Sequence, residues 1–328
     1  MKKRLSGLLI ALVVIFTAQG GLVHAQGSSG TQQGGNGLSI TPTRFEFTIE
    51  RGKAETANIQ IKNVTEKPIL ARAFLNDFEP DGNSGNPRLI IDSQEQSSSS
   101  IKDFVIGLED VNVGPGETVP VNLPIQIPEN AAPGAYYGAI RFQAAPPESS
   151  KDDSTNPQVA LNASVAALVL VEVPGDITEK IEITNVSAYI DTKKGVLFTK
   201  KPNKSGIEIK NLGNGFSKPF GRVSVNGPWG KGEVNSYELN NTSPRGNILP
   251  KSSRLFINDI SGISLPGRYT IQANISHGRG GEVLTTTTSF WYIPIWLVGI
   301  LGVLLIGLVG VAFYLFRKYG SKTVKKRK

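Results

Sequence analysis

Residues 45–61 read FEFTIERGKAETANIQI, and their spacing decides the fold class. Phe45, Phe47 and Ile49 alternate with Glu46 and Thr48, and Ala57, Ile59 and Ile61 alternate with Asn58, Gln60 and Lys62. A period of two places apolar side chains on one face of an extended strand, whereas a helix would need apolar residues three and four apart. Glu50-Arg51-Gly52-Lys53 between the two runs is expected to turn a hairpin.

The same period continues outward. Strands are expected over Ile69–Phe78, Phe104–Leu108 and Ala135–Ala145. Val119, Val121, Leu123, Ile125 and Ile127 alternate strictly, with Pro120, Pro124 and Pro128 between them. Proline cannot donate to a ladder, so this segment predicts an edge strand or a bulged one. Val159–Val173 is rich in Val, Leu and Ala, as suits strands covered on both faces. Pro146–Gln158 is polar and predicts an exposed loop. After the break at Pro174-Gly175-Asp176, further short strands are expected at Ile181–Ile190, Gly206–Asn211, Gly221–Asn226, Arg254–Ile257, Gly267–Ile275 and Val283–Trp291. Turn residues recur roughly every 8–12 positions and no amphipathic helix intervenes between residues 38 and 290, which predicts an all-β chain of two tandem β-sandwich domains, 38–174 and 175–291.

The two ends carry a different code. Ile295–Phe316 is a run of 22 residues without a charge, long enough at roughly 1.5 Å per residue to cross a bilayer core. A transmembrane helix is therefore expected over 292–316. Arg317, Lys318 and five further basic residues follow in 317–328, which predicts a cytoplasmic tail, while Trp291 and Trp296 suit the opposite membrane interface. At the N-terminus, Lys2, Lys3 and Arg4 precede the apolar Leu8–Phe16, and Val23-His24-Ala25 fits a signal-peptidase site. That predicts a signal peptide over 1–25, cleaved between Ala25 and Gln26, and then a flexible linker over 26–37. The expected product is a single-pass type I protein of the cell membrane with its bulk extracellular.

Charge follows this topology. Of the formal +8, the leader holds three positive charges and the tail seven, leaving the exported part at −2. The basicity thus gives no reason to expect nucleic acid as a partner. The chain has no cysteine, which points to a bacterial exported protein stabilised by its cores and not by disulfides. Asn-x-Ser/Thr triplets at Asn63, Asn162, Asn185, Asn203, Asn240, Asn241 and Asn274 read as turn and edge chemistry.

Several short stretches resemble a known family. Ser39-Ile40-Thr41-Pro42-Thr43, then Arg51-Gly52-Lys53 and the strand ending at Asn63, resemble the opening of bacterial extracellular immunoglobulin-like modules. Pro133–Ile140 resembles their Gly-Tyr-x-Gly strand, and Asn211–Asn214, Asn247–Pro250 and Leu265–Tyr269 continue the likeness in the second domain. With the leader, the membrane helix and the basic tail, the order is similar to that of the WxL-interacting surface proteins of Gram-positive bacteria. The resemblance implies immunoglobulin-like sandwiches and a wall-associated binding role, with peptidoglycan linked to the first domain and surface proteins or host matrix to the second. It brings no catalytic or ligand residue with it.

Chemistry is sparse. His277 is the only histidine of the exported part and stands in Ser276-His277-Gly278-Arg279-Gly280-Gly281, where a solvated turn residue is expected. No set of His and Cys suits a metal or a nucleophile. Asp77-Phe78-Glu79-Pro80-Asp81-Gly82 begins like a calcium loop, but Arg88 occupies the place of the bidentate acid, so a polar hairpin over Asp81–Asn86 is expected instead. The adjacent acids Glu109-Asp110 and Asp152-Asp153 do not make a catalytic pair by sequence alone. No enzyme, metal or cofactor is expected. The expected function is recognition of peptidoglycan or a surface protein, with Tyr136, Tyr137 and Trp229 as candidate contacts against an alternative in core packing. A structural spacer or assembly factor acting through a sheet edge is the other reading. Gly299, Gly302, Gly307 and Gly310 share roughly 140° of one helix face, which leaves a weak helix-mediated dimer open.

Overall fold

The computed structural model describes residues 37–91, 96–145, 164–278 and 282–320. The expected signal peptide, its Ala25–Gln26 cleavage point, most of the 26–37 linker, the 146–158 loop and the residues beyond Gly320 lie outside them.

The chain folds as two β-sandwiches followed by one helix. The first sandwich is built from β1 (Leu38–Thr41), β2 (Arg44–Thr48), β3 (Ala54–Asn63), β4 (Ile69–Pro80), β5 (Pro87–Ile90), β6 (Val111–Val113), β7 (Thr118–Gln126), β8 (Gly134–Ala145) and β9 (Ser164–Val173). One sheet has the order β1-β3-β7; the other runs β2-β9-β8-β4-β5, with β6 also on β4. Alternation along each strand drives Ile59, Ile61, Leu123, Ile125, Ile140, Phe142, Val169 and Val171 into a shared core between them.

The second sandwich comprises β10 (Ile181–Ile190), β11 (Lys193–Gly195), β12 (Leu197–Phe198), β13 (Lys204–Asn211), β14 (Phe220–Asn226), β15 (Glu233–Leu239), β16 (Ser253–Asp259), β17 (Gly267–His277) and β18 (Glu282–Tyr292). Its sheets are β11-β10-β13-β16 and β12-β18-β17-β14-β15. Ile207, Ile209, Val223, Val225, Tyr269, Ile271 and Phe290 fill its core. The helix α1 (Ile295–Gly320) follows, carrying Arg317 and Lys318 in its last turn. Its apolar part, Ile295–Tyr319, is long enough to cross a membrane and no part of its most apolar window is buried against the sandwiches.

Two local expectations fail. Glu50–Lys53 does turn the chain, with the Lys53 N–H donating to the Glu50 carbonyl at 3.1 Å, but no hairpin results. The segment crosses between sheets: β2 lies parallel to β9, Arg44 opposite Leu168 through Thr48 opposite Glu172, while β3 pairs with β1 and β7. Local alternation fixes which face is buried but not which strand is the neighbour. Phe104–Leu108 is not a strand either. A single bridge joins Val105 to Ile125, and Gly107 at φ 74° turns the chain away.

β7 is the outer strand of its sheet, with Pro120 opposite Gln60 and Pro124 opposite Thr56. Proline on an outer strand leaves no ladder donor unmet, and only the short segment 104–106 pairs with the outer side of β7, the Ile106 N–H donating to the Pro124 carbonyl at 3.1 Å and the Gln126 N–H to the Phe104 carbonyl at 2.8 Å.

Each sandwich also contains a buried asparagine in the same role. The Asn63 amide donates to the carbonyls of Lys67 and Val113 at 2.7 and 3.1 Å, and its oxygen accepts the Thr65 N–H. The Asn211 amide donates to Gly215 and Ile248 at 2.8 and 3.1 Å, and its oxygen accepts the Gly213 N–H. Both side chains close the loop after an inner strand and satisfy backbone carbonyls there, those of Val113, Gly215 and Ile248 in buried bonds.

Asn63→Ala and Asn211→Ala are each expected to cost about 2–3 kcal/mol, since several buried partners are orphaned at once. Urea denaturation followed by circular dichroism measures this. A second test uses pH. Burial pushes the Tyr237 phenol up to about 12, against the pull of its 2.8 Å hydrogen bond with Ser205. Between the ordinary value near 10.0 and about 12 the folded state keeps a proton that the unfolded chain loses. Its contribution is complete below pH 10 and is lost as pH rises towards 12. Tyr237→Phe is expected to flatten that part of the stability profile.

Candidate functional site

The sheet β2-β9-β8-β4-β5 is apolar on both faces. Val165, Ala167, Val169 and Val171 point into the first core, while Ala166, Leu168 and Leu170 point the other way. On that second face, Phe78, Ala139 and Leu170 gather with Tyr137 and Leu89 around Phe216 and Leu249 of the second sandwich. Tyr137 is tilted between Phe78 and Phe216, at centroid distances of 5.1 and 6.2 Å. Burial raises its phenol pKa, the Ser99 hydrogen bond opposes this, and the charges of Asp77 and Glu79 add to it.

Hydrogen bonds seal the rim of this seam. The Ala135 N–H donates to the Asn214 carbonyl at 2.9 Å, and the Leu255 N–H to the Asn83 carbonyl at 2.7 Å. The Asn83 amide also donates to Glu208 at 3.0 Å. Asn83 lies in the Asp81–Asn86 hairpin between β4 and β5, so the polar hairpin expected from sequence caps β16, the outer strand of its sheet. At the connection, Gly175 has φ 147°, and a Cβ there would meet Pro133 at 2.8 Å, so only glycine fits the crossing.

Beside the seam the two sandwiches leave a groove of about 390 Å3. Its first-domain wall is β2 and β9, through Glu46, Phe47, Thr48, Leu170 and Glu172; its second-domain wall carries Phe216, Lys218, Phe220, Arg245 and Asn247. The period of two sets Glu46 and Thr48 outward while Phe47 packs on the first core. The Glu46 carboxylate forms ion pairs with Arg44 and Lys218 and accepts the Asn247 amide at 3.3 Å. The Arg245 guanidinium lies 4.3 Å from the centroid of Phe220. Behind this wall, Arg254 donates to the Asn247 carbonyl at 3.0 Å and stacks on Phe256. Its pKa is lowered by burial and then by the positive charge of Arg44. Two buried polar atoms beside Glu46, Arg44 Nε and Asn247 Oδ1, have no hydrogen-bond partner among the described residues. Such atoms are uncommon in folded proteins. The groove itself combines two cations and an aromatic face with the carboxylates of Glu46, Glu172 and Glu179, a mixed polar lining suited to recognition.

The sequence-predicted contacts lie elsewhere. Tyr136 packs edge-on against Phe104 at 4.9 Å and donates to the Ala132 carbonyl, Tyr137 belongs to the seam, and Trp229 is 86% exposed at the far end of the second sandwich. His277 is not a solvated turn residue. It closes β17 opposite Glu282, only 5% exposed, beside a water-sized cavity shared with Thr178 and Asn211. The register of the β17–β18 ladder, not the glycines after it, sets its burial. Asp77 is also buried, paired with Lys102 at 3.1 Å. Asp110 accepts the Ala73 N–H at 2.8 Å, and Asp152-Asp153 lie outside the described residues. Among the described residues no group of three or more His, Asp or Glu is placed to hold a metal ion. Trp291 is the penultimate residue of β18 and is half exposed, and Trp296 is the second residue of α1. The groove residues Lys218, Phe220 and Arg245 carry no motif in the sequence; only the fold assembles them.

No family profile and no curated protein matches the chain. Solved structures that align with the chain include the class 5 fimbriae chaperone CfaA, at 14% identity and a TM-score of 0.38 over 78% of this chain and 99% of that one. The E. coli chaperone DraB aligns at 14% identity and 0.35 over 78% and 97%. The Pseudomonas aeruginosa CupB2 chaperone aligns at 11% and 0.32 over 77% and 99%.

Phe216→Ala is expected to cost about 2–4 kcal/mol by emptying the centre of the seam. Scanning calorimetry should then resolve two transitions where the parent chain gives one. An unchanged single transition would mean that the seam contributes little to coupling the sandwiches.

Proposed function

We propose that the chain is a membrane-anchored, non-enzymatic binding protein of a bacterial cell surface, and that the groove between its sandwiches takes an extended polar ligand of the cell wall, peptidoglycan being the first candidate. The observation that carries this reading is the groove wall itself. Lys218, Arg245 and the Arg245–Phe220 stack stand together on one wall of the groove. Donors with a planar apolar surface match a chain of amides, carboxylates and sugar faces. The anchoring half rests on Ile295–Tyr319, long and apolar enough to span, with Arg317 and Lys318 at its end. In this reading the tail is cytoplasmic, the sandwiches are outside, and a weak dimer through Gly299, Gly302, Gly307 and Gly310 belongs to the same proposal.

A second reading has one observation in its favour. β2 is the outer strand of its sheet and its edge borders the groove, so an extended segment of a surface protein would have a ladder to join. That would make the chain an assembly or spacer factor.

Co-sedimentation of the detergent-solubilised chain with purified peptidoglycan sacculi separates these readings. The parent chain should be retained. Lys218→Glu with Arg245→Glu should bind about tenfold less, a change of roughly 1.4 kcal/mol. Loss of retention in the parent chain itself would remove wall polymer as the ligand and leave the edge-pairing reading. Retention untouched by the double substitution would move the site off the groove.

A further inference from the structure

The end of the second sandwich from which α1 departs has an unusual surface. β12 runs parallel to the last residues of β18, with Leu197 opposite Trp291 and Phe198 opposite Tyr292. The Trp291 N–H donates to the Val196 carbonyl at 2.7 Å and the Ile293 N–H to the Phe198 carbonyl at 2.8 Å. Phe198 is buried edge-on against Phe290 at 5.7 Å, so this segment is fixed to the sandwich. Its neighbours point outward: Val196 is 73% and Leu197 60% exposed, beside Trp291 at 47%.

Trp229 belongs to the same end. Its indole N–H donates to the Pro266 carbonyl at 3.0 Å, and the next residue, Gly267, stands opposite Tyr292. Trp229 as a residue is 86% exposed, and Leu265 nearby is 43% exposed. Among these apolar tips stand cations. Lys200 and Lys201 follow Phe198 after Thr199 and are exposed, and Lys201 and Lys231 line one shallow depression beside residues 260–264. Of the acids here, Asp191 accepts the Asn203 amide at 3.0 Å and Glu233 is paired with Arg222 at 2.8 Å.

Only Ile293 and Pro294 separate β18 from α1. Two residues reach at most about 7 Å, so a helix that spans the bilayer holds this end within the headgroup layer. We propose that the second sandwich seats this end on the outer face of an anionic bilayer. Trp229 and Leu197 enter the headgroup region, and Lys200, Lys201 and Lys231 meet lipid phosphates. The proposal rests on the membrane-anchored reading above. Trp and Lys are the side chains that suit such an interface, an apolar body with a polar or charged tip. The seating would give the anchor a second point of contact and hold the groove at a fixed height above the bilayer.

The test uses the full chain carrying Trp291→Phe and Trp296→Phe, which leaves Trp229 as its one tryptophan. It is reconstituted in nanodiscs of phosphatidylglycerol or phosphatidylcholine with a nitroxide on a fraction of the headgroups. Trp229 emission should be quenched at least about twofold more in phosphatidylglycerol. Lys200→Glu with Lys201→Glu and Lys231→Glu should abolish the difference. Equal emission in both discs, together with free quenching by iodide, would overturn the seating. Alkaline carbonate extraction of the same chain from vesicles keeps the two claims apart. Retention with unquenched Trp229 sinks the seating alone, whereas extraction into the supernatant sinks the anchor and the seating together.

Discussion

One burial constraint organises the molecule. The β2-β9-β8-β4-β5 sheet has apolar side chains on both faces, and its own sandwich covers only one. The other face must be covered by something else, because an exposed patch of Phe78, Tyr137, Leu168 and Leu170 would cost free energy in proportion to its area. Phe216 and Leu249 of the second sandwich supply that cover. Removing roughly 100 Å2 of apolar surface from water is worth about 2.5 kcal/mol, so a few such side chains suffice to tie the two sandwiches together. The hydrogen bonds at Ala135 and Leu255 act differently. Each contributes only about 1 kcal/mol net, but they fix the register in which the seam closes.

The groove follows from that register. β2 is brought opposite the loop through Phe216 and Lys218, and the carboxylate of Glu46 falls between Arg44, Lys218 and Asn247. Exposed ion pairs of this kind contribute little to stability. They are better understood as setting the charge pattern of the walls, with Arg245 held over Phe220 rather than over an acid. The second sandwich thus has two ends with different tasks: one closes the seam and forms a wall of the groove, and the other carries the exposed tryptophans and lysines where α1 begins.

The fold class was legible because period-two alternation is a local property. Ile59, Ile61, Leu123 and Ile125 each declare their face within a few residues. The edge position of β7 was legible too, since Pro120 and Pro124 exclude a central strand. The apolar run ending at Val173 announced a sheet covered twice, although nothing in it named the second cover. Pairing was not legible. β2 and β3 look like a hairpin, and only the competition for β9 decides that β2 leaves for the other sheet. The burial of His277 escaped for the same reason, since its partner across the ladder and the loop at Thr178 lie far from it in sequence or across a turn. The groove escaped entirely: Glu46, Lys218 and Arg245 are ordinary surface residues until the seam brings them together. The aromatic residues that did stand out, Tyr136 and Tyr137, turned out to be packing residues, and Trp229 lies at the other end.

The central claim is that the two sandwiches are welded through the seam, so that the groove is a permanent feature and not a passing alignment of two tethered domains. Hydrogen exchange at two amides tests it directly, those of Ala135 and Leu255, whose acceptors Asn214 and Asn83 belong to the opposite sandwich. A welded seam predicts that both exchange as slowly as core amides such as those of Ile140 and Ile271, through opening that approaches global unfolding. Exchange at the rate of exposed loop amides, with both cores still protected, would contradict it.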